Sequence, residues 1–274
     1  MQKIAVLMTC YNRVDTTLEC LRRLFEQEIP EGYSFDVWLV DDASPDKTGE
    51  KVKAVYPQVN VIRGSGNLFW AGGMREAWTR AAKENIYDYY FWLNDDVRLS
   101  TGALTKILCA SNALENSAIV CGALIDPKTG TIFYGARGVS FPEEDMPVLV
   151  EKGMHGNVVL IPYKVFDKIG GMATGLVHQH GDFEYGFRAR KNGIAVYAVS
   201  PIGTCDANYG FDKKKMLNMS LKQRFKALFS PKQIGLSDYC RYKFLTVGLF
   251  GCIASYLKGI ILALFPNVMI KRDK

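Results

Sequence analysis

Three stretches of this 274-residue sequence set acidic side chains where they could do chemistry. An apolar, aromatic run, "YYFWL", stops abruptly at Asn94-Asp95-Asp96. Like charges this close repel each other unless water surrounds them or something positive sits between them. Two readings follow. Either the strand end turns into solvent, since Asn and Asp favour turns, or it seats a divalent cation. A second run, "FDVWLV", ends at Asp41-Asp42 within "DDASPD", which also reads well as a turn. A third, "HGDFEYGFRARKNG", puts Asp182 and Glu184 at the start of a helical pattern, with Arg188 and Arg190 following. Acids there complement the positive end of a helix whatever else they do.

The elements that must hold these groups alternate in kind. "KIAVLMT", "FDVWLV", "VNVI" and "YYFWL" are short apolar runs of buried-strand type, while Leu18, Leu21, Leu24 and Phe25 recur at helical spacing. Strands separated by helices predict an α/β protein with a mostly parallel sheet covered on both faces. Ligands of such sheets bind at the carboxyl ends of the strands. Here those ends read "TCYNR", "DDASPD", "RGSGN" and "NDD", and four polar ends in succession describe a binding rim. Gly72 and Gly73 are expected to open a helix whose free N–H groups can meet negative charge. Neither the P-loop nor the Rossmann glycine pattern is present, so those two phosphate sites are disfavoured. Residues 135–147 form the most loop-like stretch.

Hydrophobic residues at 48% and charged ones at 23% describe an ordinary globular chain. The formal charge is +6, with many lysines and arginines in the last quarter, including Lys271, Arg272 and Lys274. That asymmetry points to an anionic partner, phospholipid or nucleic acid. The seven cysteines are scattered without C-x-x-C spacing, which fits reduced thiols in a cytosolic compartment. The run from Ile4 to Met8 is too short for a secretory signal and reads as a first strand. Residues 244–265 are apolar for long enough to span a bilayer, but Lys258 and three glycines argue against a simple span. A basic, amphipathic helical region lying on a membrane surface is expected, with a terminal helix packed on the main domain as the alternative.

Taken together, "TCYNR", "LVDDASPD", "GNLFWAGGM", "FWLNDDV" and "HGDFEYGFRARKNG" resemble, in order and spacing, the family 2 glycosyltransferases. The resemblance runs from Lys3 to about Asn208, and is similar to the bacterial rhamnosyl- and galactosyltransferases of surface-polysaccharide synthesis. It implies a GT-A fold, Rossmann-like, over residues 1–212, followed by a basic, apolar helical region over 213–274. It implies inverting transfer of a sugar from a nucleotide-diphosphate donor, UDP- or dTDP-linked, to a hydroxyl of a glycan or lipid-linked acceptor. Nucleic acid is then no partner, and the expected location is the cytoplasmic face of a membrane. The resemblance assigns the nucleotide to Tyr11, Asn12, Arg13, Asp41, Asp42, Gly66, Asn67, Asn94 and Asp95. It makes Asp182 the catalytic base, with Glu184 as the alternative. The family's D-x-D motif binds Mg²⁺ or Mn²⁺. Here its first acid is Asn94, so Asp96 becomes the main metal ligand, and "GTCDANYG" offers Asp206 rather than His as a further one. Two rivals share the sheet plan, a sugar nucleotidyltransferase and a non-catalytic nucleotide-sugar-binding module. The first lacks its Gly-rich basic loop after "KIAVLMT".

Overall fold

The structure, a computed structural model, describes residues 1–136, 139–143 and 146–270. Parts of the 135–147 stretch, and Lys271, Arg272 and Lys274 of the basic tail, lie outside the described residues.

β1 (Gln2–Cys10) shows why the apolar runs are unbroken. Ile4, Val6 and Met8 join one core and Ala5 and Leu7 another, so both faces of the strand are buried. α1 (Val14–Phe25) buries Thr17, Cys20, Leu21 and Leu24 at helical spacing and returns the chain to β2 (Tyr33–Asp41). α2 (Thr48–Val55) leads to β3 (Asn60–Arg63), and α3 (Phe69–Glu84) to β4 (Tyr89–Leu93). β5 (Arg98–Leu99) and α4 (Ala103–Ala113) precede β6 (Ile119–Gly122), β7 (Leu124–Ile125) and β8 (Ile132–Tyr134). β9 (Val148–Leu149), β10 (Val158–Pro162), α5 (Tyr163–Ile169), α6 (Gly181–Lys191), β11 (Val196–Val199) and β12 (Gly203–Thr204) complete the α/β portion.

Among the described residues the main sheet runs β3-β2-β1-β4-β10-β6-β11-β9, with a smaller sheet β5-β12-β7-β8 beside it. β1 to β4 pair in parallel, as do β6 and β11. β10 is antiparallel to both β4 and β6, and β9 to β11. Helices cover the sheet, and the two cores lie on its opposite faces.

The C-terminal region is helical, as expected, but differs in plan from a single long apolar helix. A 3₁₀ turn (Lys213–Asn218) is followed by α7 (Leu221–Phe229), α8 (Leu236–Val247), α9 (Leu249–Leu264) and α10 (Pro266–Ile270). Ser220 and Gln223 form a reciprocal capping box that starts α7. Met216, Leu228, Leu236, Leu262 and Ala263 form a small core of their own. Gly248, at φ +94, separates α8 from α9 inside the apolar run. α9 has 16 residues, about 24 Å at 1.5 Å per residue, against a hydrocarbon core of about 30 Å. Among the described residues no helix is long and apolar enough to cross a membrane.

α3 packs on β1 through Gly73, where a Cβ would collide with the Thr9 hydroxyl. Gly73→Val should therefore overpack this seam and cost about 1–3 kcal/mol, read as a lowered urea midpoint with an unchanged slope.

Candidate active site

A cleft of about 1080 Å³ opens at the carboxyl ends of β1, β2 and β4. Such a volume exceeds what one small ligand needs. The question posed by Asn94-Asp95-Asp96 is answered here by a side chain. Nη1 of Arg13 donates to Asp96 Oδ2 at 2.9 Å and to Asp95 Oδ1 at 3.2 Å. Asp95 is 7% exposed, and among the described residues its Oδ2 has no hydrogen-bond partner. Burial, and then the Asp96 charge, push its carboxyl up to about 7, against the opposing pull of Arg13. Asp96 lies on the rim, with its Oδ1 3.6 Å from the Cys205 thiol. Burial and Asp96 together push that thiol up, so it stays protonated.

The acids after β2 divide their work. Asp42 lines the cleft and is fully hydrogen-bonded. Its Oδ1 accepts from Gly66 N–H at 2.7 Å and its Oδ2 from Leu68 and Phe69 N–H at 2.9 Å. The positive end of α3 therefore meets a carboxylate of the chain itself. Gly72 and Gly73 do not open that helix. It starts at Phe69, and Gly72 N–H is taken by Val177 O at 3.0 Å. Phe69, at φ +52, is held in a conformation bulky residues avoid, and it too lines the cleft. Asp41 stays out of the lining, its oxygens accepting Ser44 and Gly49 N–H at 3.0 Å to shape the turn into α2.

The remaining nucleotide candidates also separate. Tyr11 lines the cleft at 43% exposure, with Lys232 Nζ 4.8 Å from its ring centroid. Gly66 lines it as well, whereas Asn67 is exposed beside it and outside the lining. Asn12, at φ +55, turns the chain and donates its N–H to Ser44 Oγ, again outside the lining. Asn94 lines the cleft, and its Oδ1 accepts from the Trp70 indole at 2.7 Å.

Asp182 lines the same cleft. Its oxygens accept Gly156 N–H at 2.9 Å and Phe183 N–H at 2.8 Å. Desolvation pushes its carboxyl up to about 6 in spite of those bonds, which favour the charged form. Glu184 is placed differently. It is 3% exposed, outside the cleft lining and held by Arg188 at 2.8 and 3.0 Å. Arg188 in turn donates to the carbonyls of Ile169 and Gly171, so the Glu184–Arg188 pair ties α6 to the preceding loop.

The loop that delivers Asp182 is clasped from two sides. Arg75 of α3 donates to the carbonyls of Ala173 and Leu176 at 3.0 Å. Asp238 of α8, 3% exposed, accepts Val177 N–H at 3.1 Å and His178 and Gln179 N–H at 2.7 Å. The sequence reading missed Asp238. It lies 59–61 residues from its partners, and no local pattern marks such a pairing. His178 and His180 flank Asp182, and burial holds both below the usual imidazole range. The His180 ring stacks on Tyr242 at 5.2 Å. Lys213, Lys215, Lys232 and Tyr239 bring the C-terminal region into the same cleft.

Among the described residues no three His, Cys, Asp or Glu side chains gather into a ready metal cage. Asp206 does not complete one, because it pairs with Arg98 and Lys128 at 3.5 Å and lies outside the cleft lining. Side chains alternate along an extended chain, and here Cys205 is the residue brought against Asp96. What is present, the Asp96 carboxylate and the orphaned buried oxygen of Asp95, suits a hard cation that takes its other ligands from phosphate and water.

The family model described as Glycosyl transferase family 2 matches residues 5–184. The chain belongs to that family and is a glycosyltransferase of GT-A fold. No curated protein sequence matches it. Among solved structures it is similar to the mannosyltransferase PcManGT from Pyrobaculum calidifontis in complex with GDP-Man and Mn²⁺. The TM-score is 0.57 at 14% identity, over 98% of this chain and 78% of that one. It is also similar to S. aureus TarS 1–349, with a TM-score of 0.53 at 15% identity, over 97% and 75% of the two chains. At these identities the likeness is one of fold.

Asp238→Ala leaves three loop N–H groups without their charged acceptor, and hydrogen bonds to charged groups contribute about 1.5–3 kcal/mol. Loss of stability in that range is expected by urea denaturation, with faster amide exchange confined to residues 177–179. Asp238→Asn should lose less.

Proposed function

We propose that the protein transfers a sugar, with inversion, from a nucleoside-diphosphate donor to an acceptor hydroxyl, with Asp182 as general base. The observation that carries this reading is Asp182 itself. It is a carboxylate raised toward neutral pH by desolvation, fixed by two backbone N–H groups, in a cleft that the Arg13–Asp95–Asp96 cluster also lines. A base of that pKa is mostly ionised at pH 7 yet still a useful proton acceptor. Tyr11 offers a ring face for the nucleobase, and Asp42 fixes the Gly66 turn beside it. The acceptor hydroxyl loses its proton to Asp182 as its oxygen attacks the anomeric carbon opposite the leaving diphosphate. This chain supplies alignment of the two substrates and the place for the proton. Asp96, with Asp95, would hold Mg²⁺ or Mn²⁺, which supplies charge to offset that of the diphosphate. A UDP- or dTDP-linked donor and a glycan or lipid-linked acceptor, as in surface-polysaccharide assembly, complete the reading.

Membrane association is part of the same proposal. α9 buries Ser255, Gly259, Leu262 and Ala263 against its neighbours and leaves Leu249, Phe250, Ile253, Leu257 and Ile261 exposed. Phe250 is 89% exposed. An apolar helix face of this kind can lie in a bilayer interface beside the basic residues of the region.

Asp182→Asn should lower kcat by about 10²–10⁴, while nucleotide affinity measured by calorimetry stays near wild type. Glu184→Gln should instead act through stability. Full activity in Asp182→Asn would remove the base assignment. The wild-type pH profile gives an independent check. A base with its pKa raised to about 6 loses activity on acidification, so kcat/KM should fall about tenfold per unit below that pH. For the membrane surface, Phe250→Asp together with Leu257→Asp should reduce sedimentation with anionic liposomes at low salt and leave turnover of a soluble acceptor unchanged.

A further inference from the structure

Arg13 is tied to the acid pair by one nitrogen and, among the described residues, its side chain has no other hydrogen-bond partner. Its side chain is 49% exposed at the cleft mouth, so it has room to move. A guanidinium does not lose its proton in a protein. The carboxylates can therefore be released from Arg13 only by displacing the side chain. A second observation points to a ligand at this spot. Asp95 Oδ2 is buried and, among the described residues, unpartnered, acceptor capacity that Arg13 leaves unmet.

The charges set an order of events. With Arg13 in place, the three groups carry a formal charge of −1. A dication entering a nucleotide-free cleft meets a guanidinium already seated on the oxygens it needs. A diphosphate changes that balance, because a guanidinium binds phosphate oxygens as a bidentate fork. We propose that Arg13 is a displaceable counter-ion that makes divalent-cation binding to Asp95–Asp96 depend on a nucleoside diphosphate. The diphosphate draws Arg13 off the acids, the freed carboxylates take the cation, and each ligand strengthens the other's binding. The inference rests on the nucleotide-sugar reading above and adds to it an internal competitor for the metal. Coupling of this kind is reciprocal, and couplings between sites typically amount to about 5–150-fold in affinity.

The test is direct Mn²⁺ binding, followed by the EPR signal of the free ion, to wild type, Arg13→Gln and Arg13→Lys. Titrations are run without nucleotide and again with UDP, dTDP or GDP, subtracting Mn²⁺ held by nucleotide alone. Without nucleotide, Arg13→Gln should bind Mn²⁺ about tenfold tighter than wild type or better, within the usual coupling range. Arg13→Lys should fall between them. In calorimetry, the gain in nucleotide affinity that Mn²⁺ gives wild type should shrink in Arg13→Gln. Thermal melts establish that the variants are folded, and Asp96→Asn should abolish the nucleotide-dependent Mn²⁺ binding. If Arg13→Gln binds Mn²⁺ no tighter than wild type in the absence of nucleotide, the competition is refuted and the glycosyl-transfer reading is untouched. If no protein binds Mn²⁺ with or without nucleotide, both this proposal and the metal's place in that reading are refuted.

Discussion

Parallel pairing of β1 with β2 and β4 is the constraint from which the cleft follows. The register sets Cys10 against Asp41 and Leu7 against Trp92, so the strands finish on one edge of the sheet. Arg13 and Asp96, 83 positions apart in the chain, come within 2.9 Å because of it. β10 then enters from that edge in the opposite direction, with Val158 beside Leu93. This places Asn157 O on the N–H of Asn94 at 2.9 Å and leaves the N–H of Gly156 to hold Asp182. The rim acids and Asp182 are thus joined by a few backbone hydrogen bonds across one sheet edge.

The acids around that edge show how one residue type serves separate ends. Asp41, Asp42 and Asp238 are buried and saturated with backbone N–H donors, and each fixes a turn or loop. Glu184 is saturated by an arginine and holds α6 in place. Asp95 and Asp182 are different, because their bonds do not fully offset desolvation and their carboxyls are raised. Groups left in that state are costly to the fold, and such perturbed sites concentrate where chemistry is done. Both raised carboxyls line the cleft at the carboxyl ends of the strands.

The C-terminal helices are part of the site. They have their own apolar cluster, yet Asp238 grips the loop before Asp182, and Lys232 stands over the Tyr11 ring. The cleft wall runs through Asp212 and Lys213, so the boundary expected at that point divides the sequence without dividing the site. The exposed stripe of α9 belongs to the same helical unit.

The sequence by itself determined the α/β alternation, the first four strands and the polar rim at their carboxyl ends. Buried parallel strands must be apolar on both faces, and their ends must turn polar where they leave the core. It also marked Asp182, Asp95 and Asp96 by residue type and motif order. It could not place Asp182 apart from Glu184 or Asp42 apart from Asp41. Each pair is one or two positions apart, and only the direction of each side chain decides which meets the cleft and which meets Arg188 or Gly49. The sequence read the crowded carboxylates as needing a positive neighbour, and the tertiary structure decided that the neighbour is Arg13. Asp238 belonged wholly to the tertiary structure, because a long-range hydrogen bond leaves no periodicity to read. The glycines of residues 244–265 argued against a simple span, and the structure decided that Gly248 is where the helix breaks, since a backbone angle shows only once the helices on either side have packed.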